Sequence, residues 1–393
     1  MKTAGEESLL HVENTKMLAN KNNNDVPTPM PLVRALLGHI PRSAWGGIYS
    51  VLDPCCGQGN WLLGTREVLR AHARGHAHWE LHGIELSKRH ADVCRRMVPE
   101  ATVERGDFLS GVVGRTPDHF DLVVMNPPFA GTNKNSRLSC RFLEKGIHAL
   151  APGGWIVAVL PDSWMSCSAR NKPLVTCLLH NMTLHRIGIH DIREHFPTVS
   201  VGLTWLVARK KRPSPRSITR VSCLDSNAVV HRAACRLHHS ICARIGFVPI
   251  RCTREVLAMM EDVLSERPNA KSIRVSSVLH RTTRKDWLST KQWGPYRYRV
   301  IHTPTQTLYS SQPHPYQLQY HVFLPITSTY EPFVDRCGMT HGIAFVPCGV
   351  GNAGRRKAVA LQAKLSHPDV VACVQACRWG NFNSVDIMRH LVF

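Results

Sequence analysis

The run Asp121-Leu122-Val123-Val124-Met125-Asn126-Pro127-Pro128-Phe129 constrains this chain more than any other. Leu122 to Met125 is a short apolar stretch with two β-branched residues, stopped by a Pro-Pro pair, and it reads as a buried strand. Pro127 fixes its own φ, and Pro128 drives Pro127 into an extended conformation. Asn126 and Phe129 are therefore held at the carboxyl end of a strand, where ligands of open α/β sheets bind. An amide, a free backbone carbonyl and an aromatic ring in a fixed array suit a flat molecule that carries an amino group.

The surrounding sequence has a βαβ texture. Strands are expected at 48–53, 79–85, 102–103, 121–125, 155–160, 184–189 and 201–207. Between them lie expected helices at 61–74, from the cap Ser87 to Met97, at 137–150 and at 174–179. Thr28 is placed to cap a further helix, with Pro29 at its first position. This alternation predicts an α/β fold with a doubly wound, mostly parallel, seven-stranded Rossmann-like sheet. After Arg209 a basic, proline-containing break, Arg209-Lys210-Lys211-Arg212-Pro213-Ser214-Pro215-Arg216, reads as a linker. The second half lacks the rhythm and is expected to be α+β. The resulting division is a flexible leader over 1–26, a first domain over 27–209, a linker over 210–222 and a second domain over 223–393.

Three successive strands end in an acid. Asp53 opens the loop Asp53-Pro54-Cys55-Cys56-Gly57-Gln58-Gly59, whose glycines let the backbone approach a ligand closely. No Lys follows Gly59, so the loop does not fit the phosphate-binding pattern Gly-x-x-x-x-Gly-Lys. Glu85 ends the second strand, where an acid grips ribose hydroxyls. Asp107 ends the third, within Gly106-Asp107-Phe108. The fourth ends in Asn126-Pro127-Pro128-Phe129.

With these residues in view, 27–208 resembles the S-adenosylmethionine-dependent DNA adenine-N6 methyltransferases. The loop from Asp53 to Gly59 is similar to that family's cofactor loop, and Asn126 to Phe129 to its catalytic Asn-Pro-Pro-aromatic motif. Pro27-Thr28-Pro29 looks like the extra cofactor motif that precedes the loop in the gamma arrangement, in which a target-recognition domain follows the catalytic one. The resemblance implies that Asp53, Gly57 and Gly59 hold the methionine part of S-adenosylmethionine, with Thr28 at the carboxylate end. Glu85 would bind the ribose, Asp107 the adenine amino group, and Phe108 would pack on that ring. Asn126 and Pro127 would accept the hydrogens of the target amine. Phe129 would stack on the flipped base, with Phe196 as a second aromatic contact.

The formal net charge of +21 agrees with a polyanionic partner. Double-stranded DNA is the expected one, with Arg297, Arg299, Arg355, Arg356 and Arg378 as candidate contacts. RNA adenine-N6 or guanine-N2 methylation is the main alternative, and a non-catalytic DNA-binding protein on the same scaffold is the alternative of another class. Release-factor glutamine methyltransferases share the Asn-Pro-Pro signature but carry their extra domain before the core. The resemblance allows a separate cognate endonuclease, and a monomer is expected. No metal is expected, because Cys235, Cys242 and Cys252, with His231, His238 and His239 nearby, contain no Cys-x-x-Cys pair. No apolar run is long enough to span a bilayer and the polar start is not a signal peptide, so no membrane association and a cytoplasmic location are expected.

Overall fold

A computed structural model describes residues 26–72, 78–111, 118–129, 137–225, 227–269, 272–280 and 285–393. Apart from Val26, the expected leader lies outside them. The chain divides into two compact units, Met1–Trp164 with His180–Ser214 and Met165–Leu179 with Pro215–Phe393. Among the described residues no helix is long and apolar enough to cross a membrane.

The first unit contains strands β1 (Ser50–Asp53), β2 (Glu80–Glu85), β3 (Thr102–Arg105), β4 (Phe120–Met125), β5 (Leu150–Pro161), β6 (Thr183–Ile189) and β7 (Leu203–Arg209). They are ordered β3-β2-β1-β4-β5-β7-β6. Pairing is parallel from β3 to β5, and β7 runs antiparallel to both β5 and β6. Within this unit the strands therefore form the expected mostly parallel arrangement. β1 to β4 all end on one edge of it. The run that opened the analysis is β4, with Leu122 to Met125 fully buried.

Helices α1 (Met30–Leu37), α2 (Asn60–His72), α3 (Lys88–Met97) and α4 (Leu138–Ala149) accompany these strands. Ser87 caps α3 as expected, its hydroxyl accepting from the His90 N–H at 3.4 Å. The expected cap of α1 is displaced by one residue. Pro29, not Thr28, is the capping position, and it offers no side-chain hydrogen bond. Two prolines, Pro29 and Pro31, start this helix without needing a hydroxyl. Lys210, assigned to the linker by sequence, directly follows β7 and is tied to the first unit. Its N–H donates to Gly154 O at 2.8 Å, and its ammonium donates to Ile147 O at 2.9 Å and Leu150 O at 2.6 Å. A cation thus satisfies carbonyls left open at the carboxyl end of α4.

The second unit contains helix α5 (Lys172–Thr176) and the antiparallel hairpin β8 (Thr219–Leu224) and β9 (Val230–Cys235), so the connection after β7 ends before residue 219. Helices α6 (Ile241–Ile245) and α7 (Arg254–Val263) follow, the latter capped by Thr253. Then come β10 (Arg274–Val275), β11 (Leu288–Ser289), β12 (Tyr298–Thr303), β13 (Gln306–Ser310), β14 (Tyr320–Pro325), β15 (Phe333–Asp335), β16 (Gly338–Met339) and β17 (Ile343–Gly349). They form two four-stranded sheets, β10-β17-β14-β15 and β11-β13-β12-β16. Helices α8 (Gly351–Leu365), α9 (Pro368–Ala376) and α10 (Val385–Met388) complete the unit, which is α+β as expected.

Gly188 on β6 shows how closely this sheet is packed. Trp205 on β7 crosses the glycine so that its indole N–H reaches Asp191 Oδ1 at 2.9 Å. A Cβ at Gly188 would lie 1.9 Å from that indole nitrogen and 2.5 Å from the carboxylate. Gly188→Ala is expected to destabilise the first unit by about 1–3 kcal/mol, through overpacking that has no free direction to relax. Thermal denaturation of the variant beside the parent measures the loss.

Candidate functional site

The carboxyl ends of β1 to β4 surround a cavity of about 410 Å³. β1 contributes Pro54, Cys55 and Gly57, β2 contributes Glu85, Leu86 and Ser87, β3 leads to Asp107 and Phe108, and β4 leads to Asn126, Pro127, Pro128 and Phe129. The four strand ends singled out by sequence are thus brought together. Among the described lining residues there is no Lys or Arg. Among these described residues a phosphate would meet no Lys or Arg, whereas a ligand rich in hydrogen-bond donors or positive charge would find acceptors.

Asp53, at the end of β1 just before the lining residues Pro54 and Cys55, is fully buried. Its Oδ1 accepts the Cys55 N–H at 3.1 Å, and its Oδ2 has no protein partner. Burial, reinforced by the neighbouring Glu85 carboxylate, pushes the Asp53 carboxyl up to about 8. Glu85 accepts from Gly57 N–H at 2.9 Å and from Ser87 N–H at 2.7 Å, tying the β1 loop to the end of β2. Gly57 has φ +52°, in the left-handed region that spares the loop a side chain at the cavity wall. Gly59 has φ +100° and does not line the cavity. A Cβ there would lie 2.9 Å from Cys94 Sγ, so its place is in packing the loop on α3.

Asp107 turns the chain after β3. Its carboxylate accepts from Leu109 N–H and Ser110 Oγ, each at 2.9 Å. Phe108 is buried, tilted against Phe142, with the Lys145 ammonium 4.5 Å above its ring and bonded to its carbonyl. It forms a wall of the cavity rather than an exposed lid.

At the end of β4 the Asn126 amide is oriented by an unexpected group. Its Nδ2 donates to the Val26 carbonyl at 3.0 Å, which leaves the buried Oδ1 without a partner. Since Val26 O can only accept, the amide cannot be turned round without losing that bond. Phe129 is partly buried and meets Phe196 edge to face, with centroids 6.3 Å apart. Phe196 is itself fully buried, so it supports Phe129 from behind and is not a second exposed contact. Thr28 is also repositioned. It does not line the cavity; its hydroxyl accepts from Trp61 Nε1 at 3.1 Å and its carbonyl from Asn60 Nδ2 at 2.9 Å, fixing the start of α2 behind the loop.

Three features escaped the sequence reading. The Val26 carbonyl carries no side-chain signal. Leu86, 70% exposed between Glu85 and the cap Ser87, forms an apolar rim of the cavity. The third is a pair at the ends of β5 and β6. His190 Nε2 lies 2.9 Å from Asp162 Oδ2, and a Cβ at Gly202 would fall 2.2 Å from that carboxylate. In the second unit, His231 meets Asp225, His238 Nδ1 meets the Leu179 carbonyl, and Cys235 contacts the Cys252 carbonyl. Of the candidate nucleic-acid contacts there, Arg299 is committed to Asp335 and Arg378 is half-buried, while Arg297, Arg355 and Arg356 are exposed.

Residues 33–171 match the family model of the methyltransferase small domain. The match implies a methyltransferase domain over these residues, with S-adenosylmethionine as its cofactor. The type II methyltransferase M.TthHB8I of Thermus thermophilus is 28% identical over 165 residues, 36% of this chain and 35% of that protein. The rRNA N(6)-adenosine-methyltransferase Mettl5 of Drosophila melanogaster is 31% identical over 118 residues, 30% of this chain and 54% of that protein. A solved structure of the type IIL restriction-modification enzyme MmeI in complex with DNA aligns with 86% of this chain and 60% of that one, at 13% identity and a TM-score of 0.49. The chain spans from about a third to about a half of the length of the curated relatives it matches.

The residues present fit the cofactor. Buried acceptors without partners suit its ammonium, hydroxyl and amino donors, and Asp53 is where a bound positive charge would restore a carboxylate. In the cofactor-free protein the Asp53 proton is itself linked to stability. A carboxyl raised above its unfolded value stabilises the fold at low pH, and that contribution is lost between about pH 4 and pH 8. Asp53→Asn has no such loss. Its melting temperature relative to the parent is expected to rise across that window and level off above it, which a series of melts at stepped pH would reveal. A difference independent of pH would mean that Asp53 is not buried as a neutral acid.

Proposed function

We propose that this chain transfers a methyl group from S-adenosylmethionine to the exocyclic N6 amine of an adenine flipped out of duplex DNA, as part of a modification system. The observation that carries the reading is Asn126 Oδ1, buried at the end of β4 and kept free by the Val26 carbonyl. Bound S-adenosylmethionine supplies an electrophilic methyl on a positively charged sulfur.

An aromatic amine is a weak nucleophile because its lone pair is spread into the ring. Asn126 Oδ1 and the Pro127 carbonyl accept its two hydrogens, raise the electron density on nitrogen and hold it in one orientation. Positioning and electrostatics of this kind lower the barrier without a strong base. Phe129, backed by the buried Phe196, stacks on the base and excludes water from one face. Asp53, Glu85 and Asp107 take the donors of the cofactor, and Leu86 and Phe108 wall its ring. The type II methyltransferase similarity and the basic charge support DNA as the carrier of the amine.

A second reading, methylation of an adenosine in RNA, draws specific support from the similarity to an rRNA N(6)-adenosine-methyltransferase. Incubation with tritiated cofactor and either plasmid DNA or total RNA, followed by nucleoside mass spectrometry, separates the two. N6-methyldeoxyadenosine is expected; N6-methyladenosine alone would transfer the reading to RNA, and N4-methylcytosine would move the target base. Asn126→Ala is expected to lower the rate by roughly 100-fold or more, the scale of losing a preorganised polar group at the reacting centre, while cofactor binding survives. Full activity in that variant would overturn the role of Asn126.

A further inference from the structure

The second unit displays a large aromatic residue that it could have hidden. Trp293 is 62% exposed on the connection between β11 and β12. Burying an indole would remove well over 100 Å² of apolar surface from water, so leaving it out forfeits a stabilisation that the fold normally collects.

The segment carrying it is held firmly. Leu288 and Tyr298 both pair with Ser310, so the connection passes from one side of β13 to the other. Ser289 Oγ accepts from Lys291 N–H at 3.1 Å and donates to Lys291 O at 2.8 Å. Trp293 and Tyr296 close a turn through Tyr296 N–H to Trp293 O at 2.9 Å, with Gly294 at φ +49° inside it. The Tyr296 hydroxyl then reaches back to the Asp286 carbonyl at 2.9 Å, which staples the turn to the residues before β11. The Tyr296 ring packs on the indole, tilted at a centroid distance of 5.4 Å.

The charge around it has one sign. Over residues 285–299 the cations are Lys285, Lys291, Arg297 and Arg299, against the single acid Asp286. Arg299 is paired with Asp335, but Lys285, Lys291 and Arg297 are exposed and make no ion pair among the described residues. Arg297 lies over the Tyr298 ring at 5.2 Å. A rigid turn that presents a flat aromatic group between unpaired cations matches a polyanion with stacked bases. It matches an apolar protein partner poorly, since the cations would lose water without gaining a counter-charge.

We infer that the turn from Trp293 to Tyr296 is a stacking wedge for nucleic acid. The indole lies on or between bases of the duplex while Lys285, Lys291 and Arg297 meet the flanking phosphates. The wedge rests on the nucleic-acid reading above and adds to it a point of contact remote in sequence from the methyl-transfer site.

The test uses the full chain and a fluorescein-labelled, mixed-sequence duplex, titrated at several salt concentrations. Trp293→Ala is expected to weaken binding by roughly ten-fold, the scale of one lost base stack, without changing the salt slope, because no phosphate contact is removed. Trp293→Phe is expected to recover part of the affinity, and to lose the Trp293 share of the duplex-induced quenching of tryptophan emission expected of the parent. Arg297→Ala should instead reduce the salt slope by about one unit. Since Trp293 is exposed, melting temperatures of the variants should match the parent, which guards against misfolding as the cause. Binding by Trp293→Ala within two-fold of the parent would overturn the wedge while leaving the methyltransferase reading intact. A parent that neither binds nor methylates any nucleic acid would overturn both.

Discussion

Two buried oxygens, Asp53 Oδ2 and Asn126 Oδ1, have no protein partner, and much of the first unit is arranged around keeping them so. Each buried polar atom left unpaired costs on the order of 1–3 kcal/mol. A fold that relaxed freely would turn these groups toward a donor. It cannot, because each is held by its other atom. Asp53 Oδ1 is fixed by the Cys55 N–H, and Asn126 Nδ2 by the Val26 carbonyl. Glu85, clamped by two backbone N–H groups, prevents the β1 loop from moving to help. Parallel pairing of β3, β2, β1 and β4 brings these ends side by side. The result is a set of acceptors whose orientation is settled before any ligand arrives, which is the condition under which electrostatic contributions to a reaction are largest.

Much of this unit was legible because its signals are local. An apolar run before Pro127-Pro128, a glycine loop after Asp53 and acids at Glu85 and Asp107 each declare a strand end within a few residues. What escaped depends on contacts between distant segments. Val26 acts through a backbone carbonyl, identical in every residue, across 100 positions of sequence. Asp162 and His190 meet because both flank the start of β7, a pairing that no window on either one contains. Phe196 was read as facing a ligand from the family resemblance alone, and its burial depends on packing that the residues around it in sequence do not reveal. Lys210 looked like linker charge, yet its long side chain is used to cap carbonyls at the end of α4.

The second unit was less legible for a different reason. Strands such as β10, β11 and β16 have only two residues, too few for a period of two to show. Their order, β10-β17-β14-β15 and β11-β13-β12-β16, joins segments far apart in sequence. Its helices α7 and α8 are the elements long enough for a helical period to show.

Charge separates the two ligands this chain would handle. The surplus of +21 is large, yet no Lys or Arg is among the described residues lining the cavity. Had the cavity evolved for a phosphate-bearing molecule, the surplus should converge there, since a compact pocket concentrates attraction better than an open surface does. Instead, acceptors such as Glu85, Asp107 and Asn126 line it, with the buried acid Asp53 behind them, an arrangement suited to a cation. The unpaired cations lie elsewhere, as on the turn that carries Trp293, where solvent keeps them inexpensive and a polyanion can reach them. On the proposed reading, a strongly basic protein can hold a positively charged methyl donor without repelling it, because the described residues that line the donor's cavity include no Lys or Arg.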